Sequence, residues 1–144
     1  MKDFPHIYHI NADATGDGGL DLRCAGLPDI AAAAPAEFDG PGDKWSPEVL
    51  LLAAIGGCFV LTFRAIAHAS KLPWTSLQCA VQGTLDKVER QPQFTAFVIE
   101  AVLKLPPEAK ADRAQRMLEM AERSCLVTNS VKAPVELRAR VEGT

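Results

Sequence analysis

The stretch SPEVLLLAAIGGCFVLTFRAIAHASK, residues 46–71, is expected to fold as one long helix. Ser46 is a good N-cap, Pro47 suits the first helical position, and Glu48 is favoured by the positive end of the helix dipole. Pro73 stops the helix shortly after this stretch. A helix of roughly 25 residues would be about 40 Å long.

The surface of this helix is apolar nearly all round from Val49 to Ile66, so most of its sides must be buried. A chain of 144 residues has few other elements with which to cover it. The pattern therefore favours a homodimer that encloses these helices. The uncharged run 49–63 ends at Arg64 and is shorter than the roughly 20 residues of a membrane-spanning helix, so we expect a core helix.

Composition narrows the class of protein. The length of 144 residues fits a single domain over 1–144. The 15 basic and 18 acidic residues are scattered, so neither nucleic acid nor a membrane is expected as a partner. The four cysteines form no CxxC pair and have no histidine at ligand spacing, so no metal site is expected. No signal-peptide pattern follows Lys2, and we expect a cytoplasmic protein with reduced thiols.

The chain before the long helix predicts strands and a connection. Residues 4–24 form two short apolar runs around the turn-forming residues 15–19, which is typical of a hairpin. Residues 26–45 are rich in Ala, Pro and Gly without a steady period. We expect a long surface connection there.

The chain after the long helix predicts a sheet and a second helix. Alternating apolar residues predict a strand from 77, an antiparallel partner at 94–105 after the turn ERQPQ, and a closing strand at 135–141. Steps of three and four predict a helix over 108–125 whose apolar stripe reaches Cys125. The fold class is therefore α+β.

Cys58 lies at the middle of the long helix, and Cys125 ends the stripe of the second helix. Cys24 and Cys79 fall in predicted strands. Buried free cysteine usually behaves as a small hydrophobe. The periodicity alone therefore leaves packing and chemistry both open for Cys58 and Cys125.

Two motifs resemble the OsmC/Ohr family, the osmotically induced and organic hydroperoxide resistance proteins. They are WSPEVLLLAAIGGCF, with Cys58 ten residues after Glu48, and ERSCLVTNSV, with Cys125 before a Ser/Thr/Asn cluster. The order of elements is also similar to the family's. The resemblance implies an intertwined α+β homodimer, with antiparallel sheets around long central helices.

The resemblance also implies a thiol-dependent peroxidase without metal or cofactor. Cys58 would attack an organic hydroperoxide and become a sulfenic acid, and Cys125 would resolve it as a Cys58–Cys125 disulfide. An external dithiol, a dihydrolipoyl protein in the best understood members, would restore both thiols. Phe59, Phe63 and Trp45 would be core residues or the wall of an apolar pocket.

The family's activating arginine, oriented by the residue that corresponds to Glu48, is missing from this N-terminal segment. A buried thiolate needs a positive neighbour. His9 lies near the family's arginine position and is a pH-dependent candidate to replace it; Arg23 and Arg64 are further candidates. The alternative function is a noncatalytic dimer of the same fold that binds an apolar ligand or senses oxidants.

Overall fold

The computed structural model describes residues 1–143 and has the predicted α+β class. The chain divides into two compact units, residues 1–51 and the chain from residue 52 onward. The boundary lies inside the first long helix, α1 (Pro47–Ala69). The sequence predicted one domain, and each unit is described by itself below.

The first unit contains a small antiparallel sheet. The strands β1 (Asn11–Ala14) and β2 (Leu20–Arg23) form the predicted hairpin. A third strand, β3 (Ile30–Ala32), pairs antiparallel with β2. The prediction of a long surface connection over residues 26–45 missed β3, because a strand of three residues is too short to show a period.

Helix α1 begins as predicted. The Ser46 side chain is the N-cap, and its hydroxyl accepts a hydrogen bond from the Val49 N–H at 3.2 Å. At the other end Lys71 has a left-handed φ of 53°, and the Leu72 N–H reaches the Ala67 carbonyl at 2.9 Å. This is a Schellman ending, and Pro73 follows it.

The second unit contains a three-stranded sheet in the order β4 (Ser76–Val88), β5 (Gln91–Leu105), β6 (Val135–Gly143). The antiparallel pairing of β4 with β5 is confirmed, and their two-residue turn, Glu89–Arg90, has positive φ at both residues. β6 instead runs parallel to β5. The expectation of purely antiparallel sheets is therefore corrected: the chain between β5 and β6 contains helix α2 (Ala111–Ser124), which is the kind of crossover that parallel neighbours need.

The core of this unit is formed by one face of β5 and one stripe of each helix. β5 buries alternate residues, as predicted, and α2 buries the expected stripe with the exception of exposed Ala111. The fully buried large side chains are Phe59, Phe63, Phe97, Ile55, Ile99, Leu103, Leu118 and Cys125.

Helix α1 leaves most of its apolar surface uncovered by its own chain. Its buried residues are spaced four apart on one face: Ile55, Phe59, Phe63 and Ala67. Leu61, on another face, is 58% exposed. An 18-residue window of this helix has a mean hydropathy of 2.2. By length and composition alone, the helix could therefore cross a membrane. The shorter uncharged run 49–63 did not indicate this in the sequence.

Candidate active site

Cys58 and Cys125 are brought together by the fold of the second unit. Cys58 lies in α1 and Cys125 immediately follows α2, and the two thiols are close enough for each to shift the pKa of the other. Both are free thiols in this structure. Cys58 is half-buried, whereas Cys125 is fully buried. An outside reagent can therefore reach Cys58 more easily than Cys125.

The Cys58 thiol is surrounded by hydrogen-bond donors. The Thr62 hydroxyl lies one helical turn further along α1, with its Oγ1 3.8 Å from the Cys58 Sγ. The main chain at Val127 and Leu126 also lowers the pKa of this thiol. Burial raises the pKa of Cys58, but the hydrogen bonds from Cys125, Val127, Thr62 and Leu126 outweigh it, so the pKa lies below its ordinary value.

The Cys125 thiol has the opposite shift. Burial raises the pKa of Cys125, and the hydrogen bond to Cys58 raises it further, although the Thr128 N–H and hydroxyl act in the opposite direction. Of the two thiols, Cys58 is therefore the one that ionises more readily. A nucleophilic thiol is more reactive when its pKa is lowered, so the two shifts distinguish Cys58 from Cys125 chemically.

The other two cysteines are not part of this pair. Cys24 follows β2, and its thiol donates to the His9 carbonyl at 3.6 Å within the first unit. Cys79 lies in β4, where burial raises its pKa. Over residues 1–143 no group of three or more His, Cys, Asp or Glu residues is placed to hold a metal ion.

Glu48 and His9 both lie in the first unit. His9 does not donate a hydrogen bond to the Glu48 Oε1 atom. That oxygen is buried and has no hydrogen-bond partner in the described part of the chain. The residues around His9 are exposed, and the hydrogen bond recorded there involves its main-chain carbonyl. Glu48 therefore has an unused acceptor within the described residues.

The arginines weighed from the sequence are placed differently. Arg23 lies within the same unit between acidic side chains, 3.2 Å from Asp29 and 3.4 Å from Asp13. Its charge is therefore already partnered. Arg64 is exposed on α1.

Sequence reasoning missed three contributors to the site, namely Thr62 and the main chain at Leu126 and Val127. Thr62 could have been found, because residues four apart on a helix share a face. The two main-chain positions left no signal of their own, since nearly every residue carries the same backbone groups.

Comparison with known proteins gives the family. The profile described as OsmC-like protein matches residues 40–140 of this chain, and the chain belongs to that family. Over 107 residues the chain is 27% identical to the uncharacterized protein YmaD of Bacillus subtilis strain 168, covering 72% of this chain and 71% of that relative.

Solved structures share the fold. An OsmC-like protein of unknown function from Vibrio cholerae superposes with a TM-score of 0.82 at 19% identity, over 93% of this chain and all of that one. An organic hydroperoxide resistance protein OsmC from Legionella pneumophila superposes with a TM-score of 0.74 at 21% identity, over 96% of this chain and 99% of that one. The predicted OsmC-like fold and family are confirmed.

Proposed function

We propose that this protein is a thiol-dependent peroxidase that reduces organic hydroperoxides. The observation that carries the proposal is the proximity of Cys58 and Cys125, of which the accessible thiol has the lowered pKa and the buried thiol the raised one. Similarity to proteins named for organic hydroperoxide resistance supports the choice of substrate.

The proposed reaction has three balanced steps. The Cys58 thiolate attacks the terminal oxygen of the hydroperoxide, the O–O bond breaks, and the alkoxide takes a proton to leave as an alcohol. The resulting Cys58 sulfenic acid is attacked by Cys125, which forms the disulfide and releases water. An external dithiol, such as a dihydrolipoyl protein, then reduces the disulfide by exchange and is itself oxidised. No metal or cofactor takes part.

The proposed working unit is a homodimer in the cytoplasm. Its support is the apolar surface of α1, of which a single chain buries only one stripe of four residues. A second copy of the chain would cover that surface, as an all-round apolar helix requires. A lipid surface is the competing occupant, because the helix is long and apolar enough for one. Scattered charges and the family assignment favour the second copy.

Glu48 and His9 are proposed as accessory residues. The unpartnered Glu48 oxygen supports a role in orienting a cation. Because His9 of the same chain does not donate to that oxygen, a role for His9 requires the segment from the second copy or a shift of its own segment. An imidazolium at this position would stabilise the thiolate only while it is protonated.

The second candidate function is a noncatalytic dimer that binds an apolar ligand or senses oxidants. The observation that favours it is the missing arginine. The two candidates differ in turnover, because a sensor would form the disulfide once and a peroxidase would form it repeatedly.

Rapid mixing with tert-butyl hydroperoxide tests the proposal. We expect one equivalent to consume two of the four thiols, with Cys58 and Cys125 joined and the thiols of Cys24 and Cys79 still free by peptide mapping. With an excess of dihydrolipoamide, repeated reduction is expected. Four free thiols after the reaction, or a bridge to Cys24 or Cys79, would contradict the mechanism. A single oxidation without turnover would favour the sensor.

A further inference from the structure

Arg113 links the start of α2 to the end of α1. The Nη2 group of its guanidinium donates a hydrogen bond to the Ser70 carbonyl, and this contact is partly buried. Among the described residues, the Arg113 side chain has no other hydrogen bond and no ion pair. Its charge is therefore directed to a main-chain carbonyl at the end of the helix that carries Cys58.

The Ser70 carbonyl lies at the negative end of the α1 dipole, where carbonyl groups lack partners within the helix. The Schellman turn after α1 satisfies the Ala67 and His68 carbonyls with main-chain N–H groups. The Ser70 carbonyl accepts its hydrogen bond from Arg113 instead. A guanidinium at this position both satisfies the acceptor and complements the dipole of α1.

The dipole of α2 does not favour a cation at the position of Arg113. α2 begins at Ala111, so Arg113 lies in the first turn, at the positive end of that dipole. Asp112 in the same turn offsets the charge, but the N-cap residue, Lys110, makes no side-chain capping hydrogen bond. The start of α2 therefore has a polar link to α1 and no side-chain cap of its own.

The same link lies at equal distances along the chain from the two thiols. Twelve positions separate Cys58 from Ser70, and twelve separate Arg113 from Cys125. At about 1.5 Å per residue, each interval is about 18 Å long. α2 starts at the end of α1, and its own end lies near Cys58, so the two helices run antiparallel. The link thus corresponds to a register in which the two thiols are level.

We propose that Arg113 is a positioning residue for Cys58 and Cys125: by joining the start of α2 to the end of α1, it sets the register at which the two thiols meet. It acts through the backbone of α1 and is bonded to neither thiol. The proposal rests on the proposed function, since it names what aligns the nucleophile with the resolving cysteine. The alignment matters in the second step, when the Cys125 sulfur must reach the Cys58 sulfenic acid.

Thiol–disulfide exchange measures this alignment without a hydroperoxide. In a buffer of lipoamide and dihydrolipoamide, the Cys58 and Cys125 thiols are oxidised to a disulfide while lipoamide is reduced to dihydrolipoamide. Peptide mapping after an acid quench gives the fraction of bridged protein at each buffer ratio. The equilibrium constant of the exchange reports how readily the two sulfur atoms meet in the folded protein.

We expect Arg113→Ala to lower this equilibrium constant by up to about tenfold, because a hydrogen bond from a charged group is lost. Arg116→Ala is the matched control, since Arg116 is an exposed cation three residues further along α2. It should keep the constant of the parent. An unchanged constant in Arg113→Ala, or an equal fall in Arg116→Ala, would overturn the proposal.

Arg113→Lys separates alignment from general stability. A lysine ammonium can still donate to the Ser70 carbonyl, so we expect it to recover most of the lost equilibrium constant. If circular dichroism shows that Arg113→Ala does not fold, Arg113→Met keeps an apolar stem without the donors, and the same fall is expected. A lower thermal midpoint with an unchanged constant would mean a purely structural role and would overturn the proposal.

The exchange experiment also separates this inference from the proposed function. If the parent forms the Cys58–Cys125 bridge by exchange but consumes no hydroperoxide, the proposed function fails, while a lower constant in Arg113→Ala still supports the alignment. A parent that forms no such bridge at any buffer ratio would overturn the alignment as well.

Discussion

Helices α1 and α2 each place one cysteine in the candidate site, but they differ in how their own chain covers them. α2 has a narrow buried stripe, with Ala114, Leu118 and Ala121 inside and charged residues outside. α1 has an equally regular buried stripe, but its other faces also carry apolar residues, of which Val49 and Leu61 are exposed and several more are half-buried. The comparison teaches that a single chain covers the apolar stripe of α2 but leaves apolar residues of α1 exposed, which is the basis of the proposed dimer.

The two cysteines differ in burial in the same way as the helices that carry them. Cys125 lies at the end of α2 and is fully buried, and Cys58 lies on α1 and remains accessible. In the proposed reaction, the hydroperoxide would therefore reach the thiol that lies on the less covered helix. A partner that covers α1 would define the wall of the pocket around Cys58.

Removing each thiol in turn has the largest expected effect. Cys58→Ser should reduce peroxide consumption to the uncatalysed background, because a serine hydroxyl is not ionised at neutral pH. Cys125→Ser should still react once but should then accumulate the Cys58 sulfenic acid, detectable with dimedone and mass spectrometry. Sustained turnover by Cys125→Ser would show that Cys125 is not the resolving residue.

Introducing an arginine on each helix in turn tests which helix a second copy of the chain covers. Leu61→Arg places an unpaired charge on the uncovered face of α1, which is expected to weaken a dimer by several kcal/mol. Met120→Arg is the control, since Met120 is an exposed residue of α2, 40% exposed. Sedimentation without detergent should show a dimer for the parent and Met120→Arg, and dissociation for Leu61→Arg. A monomeric parent, or a Leu61→Arg dimer as stable as the parent, would contradict the proposed dimer.

In α2, truncating a buried side chain should lower the free energy of unfolding as in any protein core. Leu118→Ala leaves a cavity at a fully buried position, which should lower the free energy of unfolding by about 2–5 kcal/mol. Glu119→Ala, one residue further on the exposed side, should change it by less than about 0.5 kcal/mol. Urea unfolding monitored by circular dichroism measures both. Equal losses would mean that α2 is not packed as described.

The smallest effect is expected at His9. The lowered pKa of Cys58 makes the peroxidase rate rise with pH at lower values than an ordinary thiol would. If an imidazolium also contributes, the rate should fall again once it loses its proton, giving a bell-shaped profile. His9→Ala should then lower the neutral rate about two- to fivefold, the size of an exposed ion pair.

A permanently charged arginine at position 9 is expected to have the opposite effect on the rate. His9→Arg should raise the neutral rate and remove the alkaline fall. Stopped-flow rates across pH measure both variants. Superimposable profiles for the parent and both variants would show that His9 takes no part in activating Cys58.

The sequence correctly predicted local features that depend on one residue or on a simple alternation, such as helix ends and the buried face of a strand. Ser46 caps α1, Pro73 follows its end, and the alternation in β5 reports its buried face. The direction of β6 was missed because alternation is the same in parallel and antiparallel strands. β3 was missed because Ile30–Ala32 has no distinctive pattern.

The two thiols of the candidate site could be predicted from the sequence, but the groups around them could not. Cys58 and Cys125 are 67 positions apart, and only the resemblance to a family joined them in the sequence. Their opposite pKa shifts depend on which of them is buried and on where the chain turns after α2. Such properties arise from the folded backbone, so no spacing of residue types reports them.

The chain that follows Cys125 is held by its own hydrogen bonds, since the Thr128 hydroxyl and the Asn129 N–H both donate to the Cys125 carbonyl. The Ser130 hydroxyl donates to the Leu126 carbonyl in the same segment. The Leu126 side chain itself is 71% exposed. Among homologues, we therefore expect side-chain changes to be tolerated better at position 126 than at positions 128 and 130.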